Sequence, residues 1–517
     1  MDETLARLFN QTCLRLETKG AILFIRRGRL EGQISYSHLH QISNRVARRL
    51  MEIGLKKGER VILFMPKSIE QVILHLGIQK VGAISVILNP GFKKDEMNFF
   101  LKDTGAKIVF TGKKEEALIR SIVEKKLTLS VDTETPFTED KLFSKSSGQV
   151  CDAKGSTHDP AILIYTSGTT GQPKGSILTQ QNLIQDAKNI IQMWEITEND
   201  ALCHALPLFH IHGLCFALHT SLIVGVKMVM CDEFSPDTAI DILSRQKGDL
   251  ACTMFMGVPT MYLEMIERMG RKKRDFSHIR LLASGSAPLL PKNFEMIKEV
   301  FGKEPIEREG MSETGMNFSN PLRGIKKPGS IGIPLPNVEV RIVNSETLQD
   351  VEPGKVGEIW LRGPNVSPGY WRKLLETEAS FVNGWFRSGD LGRKDEEGYY
   401  YITDRLKHII ISGGENISPK EIESVINHHQ KVSESCVVGI PDEKWGEKVV
   451  AAVVSKPGVP LTVKEIQDHC RQHLLAWKCP KEVLFLHGLP RNKMGKVMKE
   501  VVTKFFFGIS QSQEVKP

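Results

Sequence analysis

The chain has 517 residues, of which 41% are hydrophobic and 25% charged, with 69 Lys and Arg against 61 Asp and Glu for a formal net charge of +8. At about 100–200 residues per domain this length predicts roughly three to four folding units, and the ordinary composition excludes a disordered tail protein, a collagen-like fibre and a small disulfide scaffold. The charge is mixed along the chain rather than gathered into a stripe, which fits anionic small molecules and not nucleic acid, and the nine cysteines, without a CxxC pair or His/Cys cluster, read as reduced thiols and not as a zinc site.

Met1-Asp-Glu-Thr4 carries no basic stretch followed by an apolar one, so no secretory signal is expected. The location expected is cytoplasmic; a mitochondrial matrix form with its leader removed would look the same. Val61–Met65 is a fully apolar run stopped by Pro66, the pattern of a strand covered on both faces. Ile69, Val72, Ile73 and Leu76 then follow the spacing of an amphipathic helix. Strands at Gly82–Leu88 and Lys107–Thr111 continue the alternation of a parallel α/β sheet. Leu214–Met230 is broken by His219, Gly225 and Lys227, so it reads as a buried helix and a strand, with no membrane-spanning segment. The alternation resumes with a helix near Asp237–Gln246 and a strand at Ile279–Ala283. From Pro328 to Tyr400 short strands such as Val338–Val343 and Gly357–Arg362 suggest a small sheet or barrel. After Arg405 a last unit has strands at Ile409–Ile411, Cys436–Val438, Val449–Val454 and Glu482–Leu486, and helices at Pro419–Asn427 and Val463–Leu474. Ser510–Pro517 is polar and expected to fray.

The richest stretch is Leu163-Ile-Tyr-Thr-Ser-Gly-Thr-Thr-Gly-Gln-Pro-Lys-Gly175. A strand runs into a loop of hydroxyls and glycines that ends on one cation, Lys174. Glycines let backbone N–H groups approach a ligand, hydroxyls add donors and lysine adds charge, which are the needs of a polyphosphate. The Walker A spacing is absent.

This loop resembles the signature of the adenylate-forming superfamily of acyl- and aryl-CoA synthetases, peptide-synthetase adenylation domains and luciferases. Further motifs follow in that family's order: Pro207-Leu-Phe-His-Ile-His-Gly213, Gly257-Val-Pro-Thr260, Ser284-Gly-Ser-Ala-Pro288, Gly310-Met-Ser-Glu-Thr314, Gly384-Trp-Phe-Arg-Ser-Gly-Asp390, Asp404-Arg405, Gly413-Gly-Glu-Asn416 and Pro490-Arg-Asn-Lys-Met-Gly-Lys496. The resemblance implies an α/β fold: a large N-terminal body, residues 1–404, of two α/β subdomains plus a small β-barrel, and a small α+β C-terminal domain, residues 405–517, joined by a hinge at Lys407. It implies an AMP-forming CoA ligase using ATP, Mg2+ and coenzyme A. A carboxylate attacks the α-phosphate and releases pyrophosphate; a thiol then displaces AMP.

The resemblance carries residue roles as well. Thr166, Ser167, Gly168, Thr169, Thr170, Gly171 and Lys174 would cradle the phosphates, Ser312 would contact the α-phosphate, and Glu313 would hold Mg2+. Gly285, Ser286, Ala287, Glu309, Gly310 and Met311 would line the adenine side. Glu309 stands where an aromatic residue is usual, so adenine would lean on backbone at Gly285. Gln180 stands in place of a common His. Asp390 would bind the ribose hydroxyls with Arg405 assisting, and Lys496 would bridge the acid carboxylate and the α-phosphate. Gly413, Gly414 and Glu415 would line the pantetheine tunnel.

The nearest resemblance is to malonyl-CoA synthetases, through Leu206–Leu214, Phe255–Thr260, Arg280–Leu289, Met316–Pro321 and Gly363–Val366. It implies malonate or a related short dicarboxylate, with Arg280 on the distal carboxylate, His210 gating the acyl pocket and Gly315 and Met316 beside it. Gly315 and Phe318 depart from the residues expected there, which keeps a medium-chain fatty acid or aromatic acid as the alternative. A nucleotide-binding pseudoenzyme is the alternative of another class. Lys496 also resembles a lysine that acetyltransferases modify and deacetylases restore in this family; loss of its charge would switch adenylation off. A monomer or homodimer is expected.

Overall fold

Val61–Phe64 is apolar because both of its faces are covered, and it lies within the strand Arg60–Phe64. The computed structural model describes residues 3–123, 128–138, 142, 155–166, 173–412, 415–442, 445–492 and 495–513. Arg60–Phe64 belongs to a six-stranded sheet ordered Thr128–Val131, Ile108–Gly112, Arg60–Phe64, Ile84–Ile87, Pro160–Thr166, Lys174–Thr179. The first five strands are parallel and the last is antiparallel, so Pro160–Thr166 and Lys174–Thr179 form an antiparallel pair at the sheet edge.

The helix Ile69–Val81 corrects one expectation. Its spacing reads as amphipathic, yet every residue in it is buried. Much of its polar side is bonded internally: Gln71 Nε2 donates to the Met65 carbonyl, His75 meets Ser85, and Gln79 donates to the Ala161 carbonyl. A buried polar side chain is tolerated when its hydrogen bonds are made inside.

A second sheet of nine strands runs Ile333–Pro334, Gly315–Ser319, Ile306–Met311, Leu281–Ser284, Met254–Gly257, Ala201–His204, Lys227–Cys231, Gly20–Arg26, Arg29–Ser35. Its six inner strands are parallel and its edges antiparallel. In such sheets the loops leaving the carboxyl ends of the strands form the ligand crevice. Leu206–His212, Gly257–Thr260 and Ser284–Pro288 all leave carboxyl ends of three neighbouring strands, which gathers three motifs far apart in sequence. Leu214–Met230 is a buried helix and strand as expected; its first turns, His212–His219, are wound as a π-helix that passes into α-helix at Thr220–Val224. No helix among the described residues is long and apolar enough to cross a membrane.

The chain divides into two compact units, Met1–Glu339 with Leu361–Phe386, and Val340–Trp360 with Arg387–Pro517. The β-rich stretch forms a sheet with Glu339–Val343, Gly357–Arg362 and Trp385–Lys394 side by side and Tyr400–Arg405 paired to the last. In the C-terminal part Glu415–Ile417, Ile410–Ser412, Gly446–Ser455 and Val432–Asp442 form a sheet, with Glu482–Phe485 parallel to Gly446–Ser455. The two-residue alternation of its strands feeds two cores. Val437, Val449, Ala451 and Val453 pack on helices Pro419–His428 and Val463–His473 through Ile422, Ile426 and Ile466. Cys436, Val438, Val450 and Ala452 pack on Val502 and Phe506 of the helix Lys499–Gln513. That helix continues through Ser510 to Gln513, where fraying was expected. The eight described cysteines are free and buried, and no His/Cys/Asp/Glu cluster among the described residues is arranged for a metal.

Candidate active site

Ser167, Gly168, Thr169, Thr170 and Gly171 of the phosphate loop lie outside the described residues. Its two ends do not. Thr166 and Lys174 face each other across the antiparallel pair of strands. Thr166 Oγ1 lies 3.4 Å from Glu313 Oε1, and the Tyr370 hydroxyl donates to the same oxygen at 3.1 Å. The Lys174 ammonium stands 5.4 Å from the centroid of the Tyr370 ring. Tyr370 is held there because its segment runs along Lys174–Thr179, with Trp371 N donating to Gly175 O at 2.8 Å and Ile177 N to Gly369 O at 3.0 Å. Burial and the Glu313 carboxylate both raise the Tyr370 phenol, which keeps it a proton donor. Sequence reasoning missed Tyr370, since nothing local marks it.

Ser312, Glu313 and Thr314 form the turn between Ile306–Met311 and Gly315–Ser319, strands that pair antiparallel. Gly315 has φ +67°, and a Cβ on it would lie 2.8 Å from Asp186 Oδ1. Asp186, on the helix Gln180–Trp194, accepts from Met316 N at 2.8 Å. Burial pushes its carboxyl up to about 7. Asn317 Nδ2 bridges Thr314 Oγ1 at 2.7 Å and Glu309 Oε2 at 3.1 Å, so the Glu309 carboxylate is engaged by a neighbour on its own hairpin. Gln180 has a structural role: its Oε1 accepts from Leu5 N at 2.8 Å and its Nε2 donates to Gln79 at 3.1 Å.

At the carboxyl end of Leu281–Ser284 the chain turns through Gly285, Ser286 and Ala287. Ser286 has φ +68°, a strained conformation for a non-glycine residue that concentrates at functional sites. Its Oγ lies 3.2 Å from His212 Nδ1. Behind this loop is Arg308, buried, with its guanidinium carbon 4.9 Å from the centroid of the Phe216 ring. A Cβ on Gly285 would approach Arg308 Nε to 2.5 Å, so glycine is what lets the loop pass. His212 Nε2, Ser284 Oγ, and Arg308 Nε and Nη2 are all buried without a hydrogen-bond partner among the described residues. Burial lowers Arg308 to about 10, which leaves it charged at neutral pH, and burial followed by the Arg308 charge holds the His212 imidazole well below its usual range. His210, 4.6 Å from the Phe209 ring, is lowered to about 4 by burial and is therefore neutral.

Arg280 does not join this group, which corrects the sequence expectation. It precedes Leu281–Ser284 and stands at the opposite end of that strand, about 13 Å from Ser284 at roughly 3.3 Å per residue. Its Nε and Nη2 each lie 2.6 Å from the two Asp200 oxygens, and Nη1 donates to Trp194 O at 3.0 Å. The bidentate pair ties the strand to Asp200, just ahead of the strand Ala201–His204, and the Trp194 bond ties it to the end of the helix Gln180–Trp194.

In the second unit Asp390 and Arg405 are cross-strand partners, with Arg405 Nε 2.7 Å from Asp390 Oδ1. Asp390 is buried, and its N–H donates to Ser388 Oγ at 3.0 Å. Lys407 lies in the short turn Leu406–His408. Gly413, Gly414 and the side chains of Lys407 and Glu415 lie outside the described residues. Lys496 is exposed on a hairpin closed by Asn492 N to Lys496 O at 2.9 Å and Met498 N to Pro490 O at 2.8 Å.

Residues 11–371 match the AMP-binding enzyme family and residues 421–496 the AMP-binding enzyme C-terminal domain. The oxalate–CoA ligase of Arabidopsis thaliana is 34% identical over 92% of this chain and 93% of its own. The mitochondrial malonate–CoA ligase of Bos taurus is 32% identical over 90% of this chain and 86% of its own. ATP-bound MatB from Rhodopseudomonas palustris superposes with a TM-score of 0.91 at 35% identity, covering 98% of this chain and 99% of that one.

Proposed function

Because the chain belongs to the AMP-binding enzyme family and is an AMP-forming acid–thiol ligase, we propose that its acid is malonate or a related short dicarboxylate, bound with its distal carboxylate on Arg308. The observation that carries this reading is the buried guanidinium with two unmet donors beside Gly285, His212 and Ser284. Glu309 and Asp186 support its charge, but two buried donors without acceptors are costly, and a carboxylate matches guanidinium geometry. The oxalate and malonate specificities in the names of two relatives point the same way.

In this reading the reacting carboxylate attacks the α-phosphorus of ATP, the bond to the bridging oxygen breaks, and pyrophosphate leaves. The coenzyme A thiol then attacks the acyl carbon, gives up its proton and releases AMP. Little acid–base chemistry is required; positioning and charge neutralisation lower the barrier. Ser167, Thr169 and Thr170 donate hydrogen bonds to the β- and γ-phosphates, Lys174 supplies them a positive charge, and Ser312 donates to the α-phosphate. Glu313, flanked by the Thr166 and Tyr370 hydroxyls, offers an oxygen-only donor set of the kind that takes Mg2+ through one carboxylate plus phosphates and water; Glu313 would hold that ion, whose chemistry is to neutralise phosphate charge. Asp390 accepts the ribose hydroxyls, with Arg405 fixing its orientation. Lys496 bridges the acid carboxylate and the α-phosphate, and its exposure suits access by an acetyltransferase. Lys407 serves as the hinge, and Gly413, Gly414 and Glu415 line the path of pantetheine.

The test is coupled AMP release with acetate, malonate, methylmalonate, hexanoate, benzoate and crotonate. Malonate or methylmalonate should give the highest kcat/KM. Hexanoate or benzoate in that place would replace the dicarboxylate reading with the medium-chain or aromatic one, and pyrophosphate release without acyl-CoA would favour a pseudoenzyme.

A further inference from the structure

Lys67 follows Pro66 at the end of the strand Arg60–Phe64, in the six-stranded sheet, yet its buried ammonium reaches the nine-stranded one. Its Nζ lies 2.9 Å from His204 Nδ1, 2.8 Å from His204 O and 2.8 Å from Leu206 O. An ammonium has three hydrogens and no lone pair, so three acceptors saturate it. With Nδ1 accepting, the His204 proton sits on Nε2, which donates to Gly213 O at 2.9 Å. Gly213 lies in the first turn of the π-helix His212–His219, and a Cβ there would lie 2.1 Å from Pro207 O, so the chain from Pro207 to Gly213 folds back on itself without slack.

We propose that Lys67 and His204 are positioning residues of the acyl pocket. The ammonium pins Leu206 at one end of the segment bearing His210 and His212, and through the His204 ring it pins Gly213 at the other. This assignment rests on the acyl-pocket reading of that segment.

The relay depends on protonation. Burial lowers Lys67 to about 7, opposed by Cys231, Cys203 and Asp232, while His204 is lowered to about 3 by burial and stays neutral. The groups facing Lys67 are therefore His204 and Cys203 on Ala201–His204, and Cys231 with Asp232 at the end of Lys227–Cys231. As pH rises through about 7 the ammonium becomes an amine with two hydrogens and a lone pair. One of the three acceptors then loses its donor, or His204 moves its proton to Nδ1 and turns a lone pair toward Gly213 O. Either way the segment loses a fixed point.

The experiment measures KM for the fastest acid of the panel above, and for ATP, from pH 6.5 to 8.5. In the wild type the acid KM should rise about five- to tenfold, the effect of one buried hydrogen bond, with the ATP KM unchanged within about twofold. Lys67→Met should show the raised acid KM already at pH 6.5 and no further slope. His204→Gln, whose amide can accept from Lys67 and donate to Gly213 without a tautomer to lose, should keep the wild-type acid KM at pH 6.5. A wild-type acid KM that is flat, or that moves together with the ATP KM, overturns the proposal, as does a Lys67→Met enzyme that keeps the wild-type slope. If Lys67→Met fails to fold, Asp186→Asn decides: it removes the other group near this pocket that titrates around pH 7, so it should keep the wild-type slope of the acid KM, and a flat profile overturns the proposal. His212→Ala separates the two levels. If it leaves the acid KM unchanged, the pocket reading itself fails; if it raises the acid KM while Lys67→Met does not, only the relay fails.

Discussion

Replacing Arg308 with methionine separates a binding cation from a structural one. Arg308 is 2% exposed, and two of its nitrogens have no partner among the described residues. Leaving a buried donor unmet costs about 1–3 kcal/mol each, and exchanging a poorly paired buried charge for an apolar side chain of similar volume is neutral or stabilising by about 1–4 kcal/mol. Of the two carboxylates whose charge supports Arg308, Glu309 keeps the Asn317 amide as a donor, and Asp186, already raised to about 7, takes up a proton when the cation is gone. The stability of Arg308→Met should therefore be unchanged or higher, by up to about 4 °C in Tm for a unit this large. Binding should move the other way: losing a buried charge-assisted pair costs about 2–5 kcal/mol, which is roughly 30-fold to several-thousand-fold in kcat/KM for malonate. Turnover of hexanoate, which has no second carboxylate, should hold or improve. Differential scanning calorimetry and coupled AMP release measure both. A malonate kcat/KM within about threefold of wild type refutes the assignment, and so does a fall in Tm of more than about 5 °C, which would mark Arg308 as a structural cation.

Lys496→Ala should abolish adenylation, read as acid-dependent ATP–pyrophosphate exchange, yet largely spare thioester formation from supplied acyl-AMP; equal loss in both half-reactions refutes the bridging role. Tyr370→Phe removes the hydroxyl that meets Glu313 while keeping the ring beside Lys174, so kcat should fall about 3- to 10-fold at unchanged Tm, and an unaltered kcat would dismiss the hydroxyl. Asp186→Asn tests pH linkage. A carboxyl raised to about 7 in the fold holds a proton that the unfolded chain releases near pH 4, so its stabilising effect is lost as pH climbs from about 4 to about 7. The Asn variant should gain on wild type by about 2–3 kcal/mol between pH 5 and pH 8 in urea unfolding, and a constant difference across that range would contradict the buried-carboxylate account.

What the sequence makes legible is local, and what it hides is contact across distance. Val61–Phe64 reads as a strand because being covered on both faces leaves a continuous apolar run. The polar side of Ile69–Val81 reads as solvent-facing, since the partners that bury it, at Ala161 and Ser85, are not in the helix. The two arginines show the same limit at the site. Arg280 and Arg308 are each set beside a family motif, and the resemblance to malonyl-CoA synthetases points to Arg280. Direction decides against it: ligands gather at the carboxyl ends of parallel strands, and Arg280 stands at the amino end of its own. Its donors are taken by Asp200, 80 residues away in sequence. Arg308 lies under the Gly285 loop, whose missing Cβ leaves room for its guanidinium, and two of its donors reach no acceptor among the described residues. An arginine's function follows from where its donors end, and the two that Arg308 leaves unmet among the described residues are the ones the proposed distal carboxylate would take up.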